Sequence, residues 1–189
     1  MKWNNVKPDI LATDINSIDS NLSFIDITRL ISETTYCPYI IFPEALRQRV
    51  LGHLRTKKVE LGGLLVGRVI SIDDLQDGIV LVEITDSVES RDFDSTSVSL
   101  SMNPDVWQEA NMLCTVKKFV VGWYHSHPNL GAYFSSVDRK TQKDFFNSVY
   151  NLGLVIDPIR NEEKWFIGHD SIEVQSNRIL RSLDGLALV

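Results

Sequence analysis

The stretch His125-Ser126-His127, seven residues, Ser135, two residues and Asp138 carries the side chains whose types and spacing suit chemistry. Phe119, Val120 and Val121 lead into it as an apolar run, so the segment through His127 reads as the end of a strand. Period-2 alternation then puts both imidazoles on one face, and two nitrogen ligands are aimed at one point. Pro128 has no amide hydrogen to give a ladder, so the strand stops there, and Gly131 lets the following loop turn back. Ser135 to Asp138 reads as the start of a helix with Asp138 in its first turn, which returns a carboxylate to the histidines as a third ligand. The same Ser-x-x-Asp is also the signature of a capping box, in which both side chains serve only backbone donors. His53, on a helix, reads as a surface or packed histidine, and His169, without a spaced partner, as structural or exposed.

The elements that must position these groups follow from periodicity and punctuation. With 189 residues the chain has length for one domain with a substantial core, read as 38–189 preceded by an N-terminal extension over 1–37. In the extension, Leu22 and Phe24 suggest a short strand and Ile27, Leu30 and Ile31 a helical turn. Tyr39 to Phe42 is an apolar strand, Pro43 suits a helix start, and Leu46, Val50, Leu51 and Leu54 form a helical stripe. Glu60 to Gly67, running into Val69 to Ile72, reads as a strand buried on both faces, with glycines where another backbone approaches. Glu60 stands at its mouth as a carboxylate. Asp77-Gly78 marks a turn before the alternating Val80, Val82 and Ile84.

Thr85 to Ser101 is rich in Asp, Ser and Thr and reads as a long polar loop, either functional or a disordered surface insertion. Asn103-Pro104-Asp105 starts a helix with Val106, Trp107, Ala110 and Leu113 towards the core. A second helix is expected from Ser136 to about Tyr150, burying Val137, Thr141, Phe145 and Val149. Strands follow at Leu152 to Asp157 and Trp165 to Gly168. The tail carries a strand at Ile172 to Val174 and a short helix at Ile179 to Leu183.

Composition narrows the classes. Hydrophobic residues at 43% and charged residues at 23% are ordinary for a soluble chain, and no apolar run reaches bilayer-spanning length. The N-terminus lacks the apolar core of a signal peptide, so a cytoplasmic location is expected. A net charge of -6 and a pI near 5.2 argue against a nucleic-acid surface. Cys37 and Cys114 have no paired-thiol spacing and read as reduced thiols.

Taken together, Glu60, Gly63, Leu65 and Gly67, then His125-Ser126-His127, Ser135 and Asp138, resemble the JAMM family, also called MPN-plus or JAB-domain zinc metalloproteases. The family pattern is Glu-x-x-Gly-x-Leu-x-Gly followed by His-[Ser/Thr]-His-x7-Ser-x2-Asp. Every position is matched, and the resemblance covers roughly residues 38 to 170. It implies an α/β fold, a strongly curved mixed β-sheet flanked by α-helices as in cytidine deaminases. It also implies isopeptide or peptide hydrolysis, often of ubiquitin or a ubiquitin-like protein. Small free-standing members look like bacterial JAB proteases encoded beside E1- and E2-like proteins in antiphage conjugation systems. The partner so implied is a ubiquitin-like protein or its conjugate, with neither nucleic acid nor membrane. Related enzymes grip the extended tail of that protein with the insertion whose place here is Thr85 to Ser101, a task suited to strand addition.

The residue types fit this chemistry in their own right. Zn2+ held by His125, His127 and Asp138 keeps a fourth position for water and lowers its pKa to about 7. Glu60 is then the general base, and Ser135 the hydrogen-bond donor to the oxyanion. Three alternatives stand beside this reading. Two histidines and a carboxylate also make the facial triad of non-haem iron enzymes, which leaves Glu60 and Ser135 unused. A zinc peptidase acting on another small substrate fits the same residues. A scaffold module of this fold typically lacks a ligand, whereas this chain lacks none.

Overall fold

The computed structural model describes residues 12–14, 28, 32, 37–71, 78–90, 93–96, 99–102 and 104–182. The strand expected at Leu22 and Phe24 and the helical turn at Ile27, Leu30 and Ile31 lie outside them. Within the expected extension, β1 (Thr13–Asp14) pairs in parallel with the strand that begins just after Glu60. β2 (Tyr39–Ile41) is buried throughout, and Pro43, with no amide hydrogen, leads from it into α1 (Glu44–Leu54). α1 buries Leu46, Val50, Leu51 and Leu54, the stripe its helical spacing predicts.

β3 (Gly62–Ser71) is buried at every position except Arg68, as its apolar run requires of a strand covered on both faces. Gly63 has a specific reason to lack a side chain: a Cβ there would run into the Val88 carbonyl oxygen and the Tyr124 ring. β4 (Ile79–Glu89) pairs antiparallel with β3 and continues through Thr85 to Glu89, into the stretch that reads as a polar loop. The rest of that stretch holds a hairpin, β5 (Phe93–Thr96) with β6 (Ser99–Met102), which forms a separate two-stranded sheet. The expected loop is therefore largely strand, because main-chain pairing holds it where no apolar alternation announces it.

α2 (Pro104–Leu113) buries Val106 and Ala110, while Leu113, expected in its core stripe, is exposed. β7 (Phe119–Ser126), α3 (Ser136–Phe145) and β8 (Leu152–Asp157) form a βαβ unit, since β7 and β8 are parallel neighbours. α3 corrects two expectations: it ends at Phe145, short of Tyr150, and it leaves Phe145 and Val149 exposed. The face it buries carries Asp138, Thr141 and Gln142, because what it faces is a polar site. β9 (Glu162–Ile167) and β10 (Ile172–Val174) extend the sheet. Of the short helix expected at Ile179 to Leu183, Ile179–Leu180 is instead β11, which pairs with β2 after a 3-10 turn at Ser176–Arg178, and Leu183 lies outside the described residues.

The strand order is β10-β9-β8-β7-β3-β4-β2-β11, with β1 beside β3. Pairs β7–β8, β2–β4, β2–β11 and β1–β3 are parallel and the others antiparallel, so the sheet is mixed. Register shifts in β3 against both neighbours add twist and help curve it. α1 covers one face, packing on Ile40, Phe42, Leu65 and Val82; α2 and Phe146 cover the other around Leu64, Val66 and Trp123. This is the α/β architecture, a curved mixed sheet flanked by helices, that the resemblance implies. Cys37 and Cys114 are free, and burial pushes both thiols up. Among the described residues no helix is long and apolar enough to cross a membrane.

Candidate metal centre

The site lies at the carboxyl ends of the parallel strands β7 and β8, the end of a parallel sheet at which ligands generally bind. His125 is the penultimate residue of β7, and the His127 amide donates to the Ile156 carbonyl at 3.0 Å, which extends the pairing past the strand end. Beyond Pro128 the chain turns through Asn129 and Gly131, both left-handed, at φ of 63° and 90°. Asp157, fully buried at the end of β8, holds this turn: its carboxylate accepts from the amides of Asn129 at 3.0 Å and Gly131 at 2.8 Å. The same carboxylate accepts from the amides of Ile159 at 2.9 Å and Arg160 at 3.0 Å. Burial pushes its pKa up, but the four amide hydrogens outweigh that and hold it at about 2.

Ser135 and Asp138 form a complete capping box. The Asp138 amide donates to Ser135 Oγ at 3.2 Å, and the Ser135 amide to Asp138 Oδ2 at 2.7 Å. Capping and site-building are thus both present. One carboxylate oxygen fixes the helix start, while Oδ1 reaches His125 Nε2 at 3.2 Å. Burial pushes the Asp138 pKa up, but the hydrogen bond and charge of His125, with Ser135, hold it well below the usual carboxylate range.

The ligand atoms converge. His125 Nε2 and His127 Nε2 are 3.1 Å apart, and His127 Nε2 is 3.6 Å from Asp138 Oδ2. All three side chains are buried, and one ligand atom from each lies within 4.8 Å of the others. Zinc is held at about 2.0–2.1 Å by imidazole nitrogen and carboxylate oxygen, and the nitrogens here lie 3.1 Å apart with a carboxylate oxygen 3.2 Å from one and 3.6 Å from the other. Two imidazole nitrogens and a carboxylate, all buried and turned to one point, are a donor set that fits a metal ion. Burial, and then the neighbouring His125, push the His127 pKa down, which keeps the imidazole neutral as a ligand must be.

Glu60, half-buried, sits at the rim with Oε1 3.8 Å from His127 Nε2. Its placement depends on Ser126, whose type and buried position between the histidines give it no ligand role. Ser126 Oγ accepts from the Leu61 amide at 3.0 Å, and the Ser126 amide donates to the Leu61 carbonyl at 2.8 Å. These bonds tie the residue after Glu60 to the histidine strand. The structure therefore brings together all five residues singled out by sequence, Glu60, His125, His127, Ser135 and Asp138. Ser126 and Asp157 are the supporting residues that sequence reasoning did not single out; the Ser-or-Thr requirement between the histidines was the one available signal. His53 is packed, with Nδ1 3.0 Å from the Tyr124 hydroxyl, and His169 is exposed, 3.1 Å from Asp170.

Fold and cluster define the class: an α/β domain with a curved mixed sheet and three buried side chains, His125, His127 and Asp138, that could hold a metal ion. The profile of the JAB1/Mov34/MPN/PAD-1 ubiquitin protease family matches residues 36–149, and the chain belongs to that family. It is 35% identical over 136 residues to ubiquitin carboxyl-terminal hydrolase RPN11 of Saccharomyces cerevisiae, an alignment covering 68% of this chain and 40% of that protein. It is 36% identical over 135 residues to the 26S proteasome regulatory subunit rpn11 of Schizosaccharomyces pombe, covering 68% of this chain and 41% of the relative. The chain spans less than half the length of these curated relatives. Among solved structures, protein DSY2949 of Desulfitobacterium hafniense shares the fold, with a TM-score of 0.56, 23% identity, and coverage of 75% of this chain and 91% of that one.

Proposed function

We propose that this chain is a zinc-dependent isopeptidase or peptidase that removes or processes a ubiquitin-like protein at its C-terminal tail. One observation carries the reading: three buried ligands converge on a point, with the Glu60 carboxylate 3.8 Å from His127 Nε2 at the rim. The substrate class is supported by the family and by a relative named as a ubiquitin carboxyl-terminal hydrolase. His125, His127 and Asp138 would hold the ion, and three protein ligands are the pattern of a catalytic rather than a structural site. When bound, zinc supplies Lewis acidity and brings the pKa of its water to about 7.

Glu60 lies outside the ligand set, so it is the group that takes a proton from the attacking water and passes it to the departing lysine or amide nitrogen. Ser135 Oγ uses a lone pair to accept the Asp138 amide, which leaves its hydroxyl hydrogen for the substrate oxyanion. Losing such a contact typically costs about a hundred- to a thousandfold in rate. The two-stranded sheet of β5 and β6 offers backbone edges to which an extended tail can add as a strand. Finer still, we place the chain in the cytoplasm of a bacterium, beside E1- and E2-like proteins of an antiphage conjugation system. Deleting those neighbours should then abolish the conjugates on which the chain acts.

The deciding experiment incubates the protein with ubiquitin and candidate ubiquitin-like proteins, each fused at its C-terminus to a reporter. Release that stops with chelator and returns with added Zn2+ is expected. Zinc-loaded protein that releases none of the reporters contradicts the proposal.

A further inference from the structure

A metal-ligating histidine usually has its second ring nitrogen hydrogen-bonded to a carboxylate or carbonyl, which fixes the ring plane and its basicity. His125 departs from that arrangement. Its ring is fully buried, and its Nδ1 has no hydrogen-bond partner among the described residues. Instead the ring lies flat on Trp123, two residues earlier on β7, with centroids 4.6 Å apart and planes 7° from parallel. The plane of His125 is set by the plane of Trp123.

Trp123 is itself fixed from α3. Its Nε1 donates to Gln142 Oε1 at 2.7 Å, and both side chains are fully buried. Which way the Gln142 amide faces is not a free choice. Its Nε2 donates to three carbonyls, those of Asn151 at 3.0 Å, Phe146 at 3.2 Å and Gly168 at 3.3 Å, so Oε1 must point to the indole. Gln142 stands one helical turn after Asp138 on the same face of α3. One side chain thus locks the helix that presents the carboxylate ligand to the strand that presents the first imidazole.

We infer that Gln142 is a positioning residue for the metal site, acting through the indole of Trp123 to set the plane of His125. The inference rests on the reading of His125 as a metal ligand. A single amide does the work that an acceptor on Nδ1 does elsewhere, and it holds His125 and Asp138 in register together.

The test measures the zinc dissociation constant by chelator competition, with thermal midpoints of the metal-free protein in parallel. Gln142→Met removes all four hydrogen bonds; Trp123→Phe keeps an aromatic face on His125 while removing the indole donor and part of the ring volume. Val50→Ala, in the apolar cluster on the opposite face of the sheet, controls for general destabilisation. Zinc binding about 10- to 100-fold weaker is expected in Gln142→Met, as for other losses of outer support, with a smaller loss in the same direction in Trp123→Phe. The double variant should bind no more weakly than Gln142→Met, and Val50→Ala should keep the native constant despite a lowered midpoint. Where Gln142→Met does not fold, Trp123→Phe decides. Native zinc constants in the folded variants overturn the inference and leave the proposed function intact, whereas a native chain that binds no zinc overturns the proposed function.

Discussion

At the scale of single residues, the proposed function separates groups that would hold an ion from groups that would act beside it. Glu60→Gln keeps His125, His127 and Asp138 intact, so it should retain bound zinc while turnover falls by about a hundred- to ten-thousandfold, the usual worth of a proton-transferring group. His125→Ala and Asp138→Ala should lose the metal itself; an Asp138→Ala protein that is zinc-free yet active would refute the ligand assignment. Ser126 makes a different prediction, because it touches Leu61 rather than the ion. Ser126→Ala leaves a buried amide without its acceptor, at about 1–3 kcal/mol, and frees the Glu60 segment. Turnover should drop with zinc content unchanged, and Ser126→Thr, which restores the hydroxyl, should recover it. A Ser126→Ala enzyme with native turnover would show that Glu60 is placed by something else.

At the scale of elements, the turn between His127 and Ser135 is held chiefly by the Asp157 carboxylate, with Glu162 Oε2 accepting from the Ala132 amide at 3.3 Å. The Asp157 pKa is lowered from its ordinary 3.8 to about 2, so its contribution is present above about pH 4 and is lost as pH falls through 2. Asp157→Asn, which turns part of the acceptor into a donor facing amide hydrogens, should cost about 1–3 kcal/mol at neutral pH. Its deficit against the native protein should shrink between pH 4 and pH 2, as read from urea midpoints. A deficit constant across that range would mean that charge is not what Asp157 supplies. The β5–β6 hairpin gives the second test. Replacing it with a short Gly-Ser link should impair release from a folded ubiquitin-like fusion and leave zinc content alone, and native kinetics in that variant would remove the hairpin from the substrate path. Sequence shows the strand, helix and strand plainly, because Val120, Val121, Leu154 and Val155 declare strands and Pro128 declares where the first one stops, while their parallel pairing is seen only in the structure. It shows the five site residues because they occur together at fixed offsets, although Ser135 and Asp138 alone would read as a helix cap. It fails where the buried face is polar, as in α3, whose core side is Asp138, Thr141 and Gln142 while Phe145 faces water. It fails again where pairing is carried by main chain alone, as in β5 and β6, and where the partner is distant, as for β11.

At the scale of the molecule, the edge of the sheet is secured by charge as well as by pairing. Glu163 on β9 accepts from Arg47 Nε at 2.6 Å and from Arg181 Nη2 at 3.0 Å, so one carboxylate joins α1, β9 and the segment after β11. The Glu163 and Arg47 side chains are mostly buried, whereas the Lys140–Asp144 pair on α3 is exposed. Glu163→Gln should therefore cost about 1–2 kcal/mol, and Asp144→Asn under about 0.5, measured by denaturant midpoints; equal costs would show that this network contributes no more than a surface pair. The pairing of Ile179 with Ile40 has a consequence for biosynthesis. While a ribosome makes this polypeptide at about 5–20 residues per second, β2 leaves the exit tunnel on the order of ten seconds before its partner does. During that interval the nascent molecule carries a bare, apolar strand edge of the kind that recruits chaperones or neighbouring chains. His125, His127 and Asp138 all precede β8 in synthesis order, so the nascent molecule holds the whole buried cluster before it has covered its own flank.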